Sequence, residues 1–357
     1  MEIENPFLLS AYHSPELFCD REKETKRLQT CFRAGRNVTL IAQRKIGKTG
    51  LLQHVFYLMN RSKKATCIYV DIMRTENLQD FVNELAKAII GKLDSKPTAF
   101  LNKILEVLSS FRPQISYDAL TGEPDVTLTL TSQKDAMNSL EKIFNYLKLQ
   151  SKKQKVIVAI DEFQQILEYP EKNTEAHLRS FIQHMNNVRF VFAGSRKHMM
   201  IKMFTDAGRP FYQSTESMAL EKINPEIYKP FIKNLFTKGK MKIADEDIEY
   251  VLEWTRNHTY YVQALCNELF ETKQKLINRE TINSTMVELL QRNEFIYFNY
   301  RNLLTSPQWN LLHALAKEDG VKNVLSSSFL QRHQLGAASS VKTSLTALVD
   351  RDRKSVV

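Results

Sequence analysis

One stretch constrains this chain more than any other. Val38-Thr39-Leu40-Ile41 is a short apolar, β-branched run, the mark of a buried strand. Ala42-Gln43-Arg44-Lys45-Ile46-Gly47-Lys48-Thr49 follows at once, and Leu51-Leu52 and Val55-Phe56 then fall at helical spacing. Strand, short loop and helix in that order put the loop at a helix N-terminus. Unpaired backbone N–H groups and the positive end of the helix dipole gather anions there. The loop matches G-x-x-x-x-G-K-[ST] with Ala42 at the first glycine. In that pattern Gly47 lets the backbone approach a phosphate, Lys48 reaches the β- and γ-phosphates of a nucleotide, and the Thr49 hydroxyl ligates Mg²⁺. The expected phosphate cradle runs from Ala42 through Gly50. Ala42 is the smallest replacement for glycine, but it resists a positive φ. A chance Gly-Lys-Thr at a helix start is the other reading, and the flanking strand and helix argue against it.

Strand and helix patterns then alternate. Residues 67–71 read as a second strand and 78–90 as a helix. From 94 to 131 the pattern weakens around Pro97, Pro113, Gly122 and Pro124, which predicts an insertion: one short helix over 100–108, then a mobile loop. A helix over 134–149 leads into Val156-Ile157-Val158-Ala159-Ile160-Asp161-Glu162, a strand ending in two acids. A helix over 175–185 precedes a strand over 188–193 that ends at Gly194-Ser195-Arg196. Strands separated by helices of roughly 10–15 residues predict βαβ units and a parallel sheet. Beyond Pro225 helices dominate, over 226–236, 245–255, 260–272 and 282–298, with three short ones over 308–316, 327–333 and 339–348.

Adjacent acids at a strand's carboxyl end lie where an α/β sheet places its ligand. Beside a phosphate loop, Asp161 is expected to hold Mg²⁺ and Glu162 to polarise the attacking water. Taken alone, two such acids are as readily a solvated helix start. Ser195 either contacts the γ-phosphate or water, or is a turn serine after glycine. Arg196 is a further candidate charge stabiliser; no arginine finger is assignable, Arg209 being a guess.

Composition narrows the classes. Fifty Lys and Arg against forty Asp and Glu give a net charge of +10, a weak pull toward polyanions. No apolar stretch reaches the roughly 20 residues of a membrane helix, and the acidic start lacks a signal peptide's pattern, so a cytoplasmic chain is expected. Cys19, Cys31, Cys67 and Cys266 are too far apart for a zinc knuckle or CxxC, which leaves reduced thiols.

Together these residues resemble a known group, the archaeal-type ATPases of the STAND class within the AAA+-related P-loop NTPases, in a form typical of bacteria. Asn5-Pro6-Phe7 and Phe18-Cys19-Asp20-Arg21-Glu22-Lys23-Glu24 are similar to its upstream box, hydrophobic-x-Gly-Arg-x-x-Glu, which lies against adenine. Arg21 and Glu24 match, and Asp20 stands where glycine is usual. Residues 44–49 resemble its Arg-Arg-x-Gly-Lys-Thr loop, 160–164 its Walker B strand and 192–195 its sensor strand. His258-Thr259-Tyr260-Tyr261-Val262-Gln263 resembles the Gly-x-Pro box of the helical lid, with Asn257 and Thr259 at the Gly and Pro positions.

The resemblance implies an α/β fold: a three-layer P-loop NTPase core (ASCE/AAA-like) with a parallel sheet over 1–222, a helical lid over 223–300 and a winged-helix-like domain over 301–357. In the tail Gly336 is expected in the turn, Ser339-Ser340 as helix caps, and Ser340, Lys342 and Lys354 as candidate DNA contacts. Seven residues follow Asp350, too few for a two-stranded wing. The implied activity is slow, Mg-dependent ATP hydrolysis driving a conformational switch, with ATP and Mg²⁺ as ligands, a DNA or protein partner at the tail and a nucleotide-dependent homo-oligomer. A non-hydrolysing nucleotide-binding scaffold is the alternative suggested by Ala42, Asp20, Asn257 and Thr259. A small-molecule kinase shares the loop, but Glu162 favours water as acceptor.

Overall fold

The computed structural model describes residues 4–9, 12–93, 111–117, 124–130, 133–318 and 320–350. The helix expected over 100–108 and Lys354 lie outside the described residues. In chain order come α1 (Glu22–Arg33), β1 (Val38–Ala42), α2 (Lys48–Arg61), β2 (Thr66–Asp71), α3 (Leu78–Leu93), β3 (Phe111–Tyr117), β4 (Pro124–Leu130), α4 (Gln133–Gln150) and β5 (Val156–Asp161). Then follow α5 (Thr174–Ile182), β6 (Val188–Gly194), α6 (Lys197–Thr205) and β7 (Glu216–Leu220).

The strands β2-β5-β6-β1-β7 form one parallel sheet in that order. Every residue of β1 and β5 is buried, as befits strands covered on both faces, and this is why they read as unbroken apolar runs. Alternate residues go to opposite layers. Ile157 and Ala159 pack with Leu28, Leu51 and Val55 from α1 and α2. Val158 and Ile160 pack with Phe81, Leu85 and Phe144 from α3 and α4. Burial of each such side chain contributes about 1.5–3 kcal/mol. The chain leaves β1 for the far edge at β2, returns through β5 and β6, and ends on β1's other side at β7. Ligands of open α/β sheets bind in the crevice at the carboxyl ends of such strands.

The insertion departs from expectation. Residues 111–117 and 124–130 are not loop but an antiparallel ribbon, with Phe111 opposite Leu130 and Tyr117 opposite Pro124. The alternation Val126-Thr127-Leu128-Thr129-Leu130 is a period-two strand signal. The prolines are tolerated because both strands of a ribbon are edges, and Pro124 is the first residue of its strand.

The helical section comprises α7 (Pro225–Lys238), β8 (Lys242–Ile243), α8 (Asp245–Trp254), α9 (Thr259–Glu271), β9 (Leu276–Ile277), α10 (Arg279–Arg292) and α11 (Glu294–Asn302). The single helix expected over 282–298 is broken at Asn293, whose Nδ2 donates to Leu289 O at 2.8 Å and competes with the backbone ladder. Phe7, far away in sequence, is wholly buried in this section's core beside Phe236, with ring centroids 4.8 Å apart. Asn267 ties the strap down by donating to Phe7 O at 2.7 Å.

The tail holds α12 (Ser306–Ala316), α13 (Ser327–Arg332) and α14 (Ala338–Asp350) around Leu311, Phe329, Val341 and Leu348. Thr305 and Gln308 form a capping box on α12. Gly336 has φ +74°, as its turn requires. Because α14 already begins at Ala338, Ser339 and Ser340 lie inside its first turn and are not caps.

Candidate functional site

The loop between β1 and α2 sits at the carboxyl edge of the sheet. Ala42 is the last residue of β1, paired with Leu220 and without positive φ, so this position makes no demand that alanine fails to meet. The demand falls on Gly47, at φ +102°, where a side chain would be strained and where the space beside Cα is open. Gly47 precedes α2, and no side chain caps that helix, so its first N–H groups face the cavity.

Around this helix start the chain gathers a polar cluster. Lys48 is buried, its Nζ 2.5 Å from Asp161 Oδ1 and 2.6 Å from Glu162 Oε1. Thr49 Oγ1 donates to Asp161 Oδ2 at 3.0 Å. Glu162, at φ +56°, turns its carboxylate so that Oε2 accepts from Ser195 Oγ at 2.7 Å and from Gln164 Nε2 at 2.6 Å. Burial pushes the Glu162 pKa up, but the Lys48 charge and the hydrogen bonds from Lys48, Gln164 and Ser195 outweigh it. The carboxyl stays below its ordinary range and ionised at neutral pH.

Five of the expected residues, Lys48, Thr49, Asp161, Glu162 and Ser195, thus come together. Sequence reasoning assigned no role to two others. Tyr69 donates to Asp161 Oδ2 at 2.6 Å, and burial, followed by the Asp161 charge, raises its pKa and keeps it a neutral donor. Gln164 was visible only as a neighbour of the two acids, and Tyr69 only as a residue of an apolar strand. The pairing of β2 with β5, Tyr69 opposite Ala159, is what brings it to Asp161.

Arg21 is 3% exposed; its Nη1 lies 3.2 Å from Glu24 Oε1 and its Nη2 3.5 Å from Ile46 O. Asp20, standing for the usual glycine, has φ +61°, a conformation that Asp tolerates better than most residues. The helical section meets the loop from the other side. The His258 Nε2 lies 3.2 Å from Arg44 O, Thr259 Oγ1 donates to Ile46 O at 3.2 Å, and Lys45 Nζ lies 3.7 Å from the centre of the Tyr260 ring. Asn257, at the box's glycine position, has φ +52° and donates to Ile223 O at 2.5 Å. Burial lowers the His258 pKa, so the ring is neutral at pH 7 with Nε2 the donor, and its buried Nδ1 has no partner among the described residues.

Arg196 and Arg209 are engaged elsewhere. Arg196 pairs with Glu168 at 2.9 Å and Arg209 with Glu175 at 3.3 Å, and neither lines the cavity. Ser340 and Lys342 are exposed on α14.

The cavity itself is about 530 Å³. Its lining is partly polar, with residues 43–50, Asp161, Glu162, Ser195 and Arg21, and partly apolar, with Leu8, Leu17, Phe18 and Ile223. Phe18 is stacked on His54 with centroids 4.5 Å apart. A lining that combines an anion-binding loop with apolar side chains, at a volume typical of ligand pockets, fits a nucleotide. Among the described residues no three His, Cys, Asp or Glu side chains converge as a metal site. Thr49 and Asp161 fit Mg²⁺ in the manner of that ion, which takes few protein ligands and completes its shell with phosphate oxygens and water. No helix among the described residues is long and apolar enough to cross a membrane.

Comparison with known proteins agrees with this geometry. The family model described as "ATPase domain predominantly from Archaea" matches residues 18–265, and one described as "probable winged helix domain" matches 295–353. No curated protein matches the chain. Among solved structures, a Walker-type ATPase of Pyrococcus abyssi superposes with a TM-score of 0.67 at 16% identity, over 96% of this chain and 92% of that one. The Aeropyrum pernix ORC2 protein in its ADPNP-ADP complexes gives 0.60 at 14% identity, over 96% and 88%. The ORC1 protein of the same organism, in complex with DNA, gives 0.56 at 14%, over 98% and 88%. At such identities the likeness is one of fold, and it agrees with a P-loop sheet followed by helices and a winged helix. Matched by the family model over more than half its length, the chain belongs to the ATPase domains found predominantly in Archaea and carries a winged helix domain after that domain.

Proposed function

We propose that the chain binds ATP with Mg²⁺ in the loop cavity and hydrolyses it slowly, using occupancy of the site to reposition the lid and tail. The observation that carries the reading is the single hydrogen-bonded cluster of Lys48, Thr49, Asp161, Glu162 and Ser195 at the uncapped start of α2. The first N–H groups of α2 and Lys48 would hold the phosphates, with residues 42–50 as the cradle and Arg21 supporting it through Ile46 O. Thr49 and Asp161 would hold the metal, with Tyr69 fixing the Asp161 carboxylate. Mg²⁺ supplies neutralisation of charge on the transferring phosphoryl group. Glu162, ionised and pinned by Ser195 and Gln164, would orient the attacking water. Lys48 is paired with both acids, so a bound phosphate would share its ammonium with them.

The proposed units are the core over 1–222, the lid over 223–300 and the tail over 301–357. The tail would contact DNA or a protein; the structure of ORC1 with DNA and the exposed Ser340 and Lys342 support the DNA version. Cytoplasmic location and a nucleotide-dependent homo-oligomer belong to the same proposal. Three of the four residues that suggested a degenerate scaffold do not favour it: Ala42 needs no positive φ, and Asp20 and Asn257 are types that adopt one.

The test is Mg-ATP binding and phosphate release by the native chain, Lys48→Ala and Glu162→Gln. Binding with turnover in the native chain, no binding by Lys48→Ala, and binding without turnover by Glu162→Gln is the expected pattern. Binding by the native chain with no phosphate release above that of Glu162→Gln would replace the ATPase reading with the scaffold one, and equal, substantial turnover by both would remove Glu162 from the mechanism.

A further inference from the structure

A second cavity, about 1020 Å³, opens at the opposite pole of the sheet, at the amino ends of the strands. Its rim is built by connections remote from one another in sequence. Arg33 ends α1, Lys63 and Lys64 lie between α2 and β2, Lys153 and Lys155 between α4 and β5, and Arg189 is the second residue of β6. The lining includes these six cations and no carboxylate. None of the six makes an ion pair among the described residues. The floor is apolar: Phe32, Met59 and Ile157 are buried there.

A simpler account is that basic residues after helix C-termini complement the helix dipole. That effect fades within the last turn. It covers Arg33 but not Lys155, which lies beyond the last turn of α4, nor Arg189, which belongs to a strand. Arg189 is also held in place by three turn carbonyls: Nη1 donates to Met185 O at 3.3 Å and to Val188 O at 2.7 Å, and Nη2 to Asn186 O at 2.6 Å. Like charges around one hollow repel and disfavour the compact state unless an anion offsets them.

We propose that this pole is a second ligand site, separate from the phosphate loop, for a small molecule bearing two or more phosphate groups. The cations line a concavity of small-molecule dimensions that also has buried apolar residues. Inorganic polyphosphate and a nucleoside polyphosphate share this chemistry. They differ in whether the floor takes part.

The experiment uses the full chain carrying Lys48→Ala, which removes the phosphate loop from the readout. It is titrated calorimetrically with inorganic tripolyphosphate and, separately, with ADP, at low and at physiological salt. One saturable site that weakens with salt is expected, and adding Lys63→Glu with Lys155→Glu weakens it about tenfold or more. The matching Lys→Gln pair gives a smaller loss in the same direction, with melting curves confirming that each variant is folded. ADP binding more tightly than tripolyphosphate identifies the nucleoside form; the reverse identifies the inorganic one. Equal titrations with and without the charge reversals overturn the proposal. So does failure of both anions to bind while the reversals abolish binding of duplex DNA, which would make the pole a nucleic-acid face. Neither result bears on the ATPase reading, because the loop is already disabled.

Discussion

Replacing Gln164 by leucine probes the proposed chemistry at its most specific point. Gln164 is 1% exposed; its Nε2 donates to Glu162 Oε2 at 2.6 Å, and its buried Oε1 has no partner among the described residues. That oxygen is pressed against Gly194, where a Cβ would stand 2.3 Å from it. Leucine keeps much of the volume and removes both the donor and the orphaned acceptor. A hydrogen bond to a charged group contributes about 1.5–3 kcal/mol, and an unsatisfied buried acceptor costs about 1–3 kcal/mol. The two changes nearly offset in stability, so the expected change is within about 1 kcal/mol and a melting shift of a few degrees at most. Turnover has no such offset, because only the lost donor acts on Glu162. Ser195 and Lys48 remain on that carboxylate, so a partial loss follows: kcat falls about tenfold, equivalent to about 1.4 kcal/mol in the barrier. KM for ATP changes little, since Gln164 does not line the cavity. Gln164 is also among the groups that hold the Glu162 pKa down against burial, so the acidic limb of the rate profile moves to higher pH. Phosphate release measured against ATP concentration over a pH series reads all three quantities. An unchanged kcat with an unmoved acidic limb, or a raised KM at constant kcat, refutes the positioning argument.

Three further outcomes are expected. Lys48→Ala leaves Asp161 and Glu162 facing each other without their shared cation, a buried pair whose breaking costs about 3–5 kcal/mol. The Glu162 pKa is depressed in the native fold, so that contribution is present above the ordinary carboxylate pKa and lost as pH falls; urea unfolding should show the two chains far apart at pH 8 and converging in acid. Asp20→Gly relieves a residue at φ +61° and should leave stability equal or slightly higher, while Asp20→Val should cost about 1–2 kcal/mol by chemical denaturation. Burial lowers the His258 pKa, so the neutral ring's stabilisation is complete above about pH 6.5 and is lost as pH falls below it. The fall in melting temperature between pH 7.5 and 5.5 should shrink in His258→Gln, and an unchanged slope would show that the lid contact does not depend on this ring.

The phosphate-loop unit was legible because a strand buried on both faces writes an unbroken apolar run and the loop after it needs glycine at one defined angle. β7 was not. It is an edge strand with only Leu220 buried, and its Glu216, paired with Arg36 at 2.5 Å and with Arg27, reads as surface. The ribbon of Phe111–Tyr117 and Pro124–Leu130 was hidden by two prolines that edge strands tolerate. Ala42, Asp20 and Asn257 were visible only as departures from a pattern, and backbone angles alone reveal that each suits its position. Tyr69 and Gln164 lie beyond any reading of spacing, since register between strands and the turn at Glu162 bring them to the acids.

The lid contacts bear on how a switch of this kind would be poised. Two loop carbonyls, Arg44 O and Ile46 O, are engaged by His258 and Thr259, and Lys45 sits over the Tyr260 ring. Two neutral hydrogen bonds at about 1 kcal/mol each and one exposed cation–π contact at about 0.5–1 kcal/mol amount to about 3 kcal/mol. That corresponds to a roughly hundredfold preference for the docked lid, strong enough to define a resting state. A nucleotide touching both loop and lid would deepen that preference, and its loss would relax it. The strap adds direction. Because Phe7 is anchored in the lid core, departure of the lid would draw Leu8 and Leu9 from the cavity together with Thr259, Tyr260 and Gln263 of α9. A bound nucleotide would then lose contacts from both segments in one motion, which would couple lid position to nucleotide affinity through the same few residues.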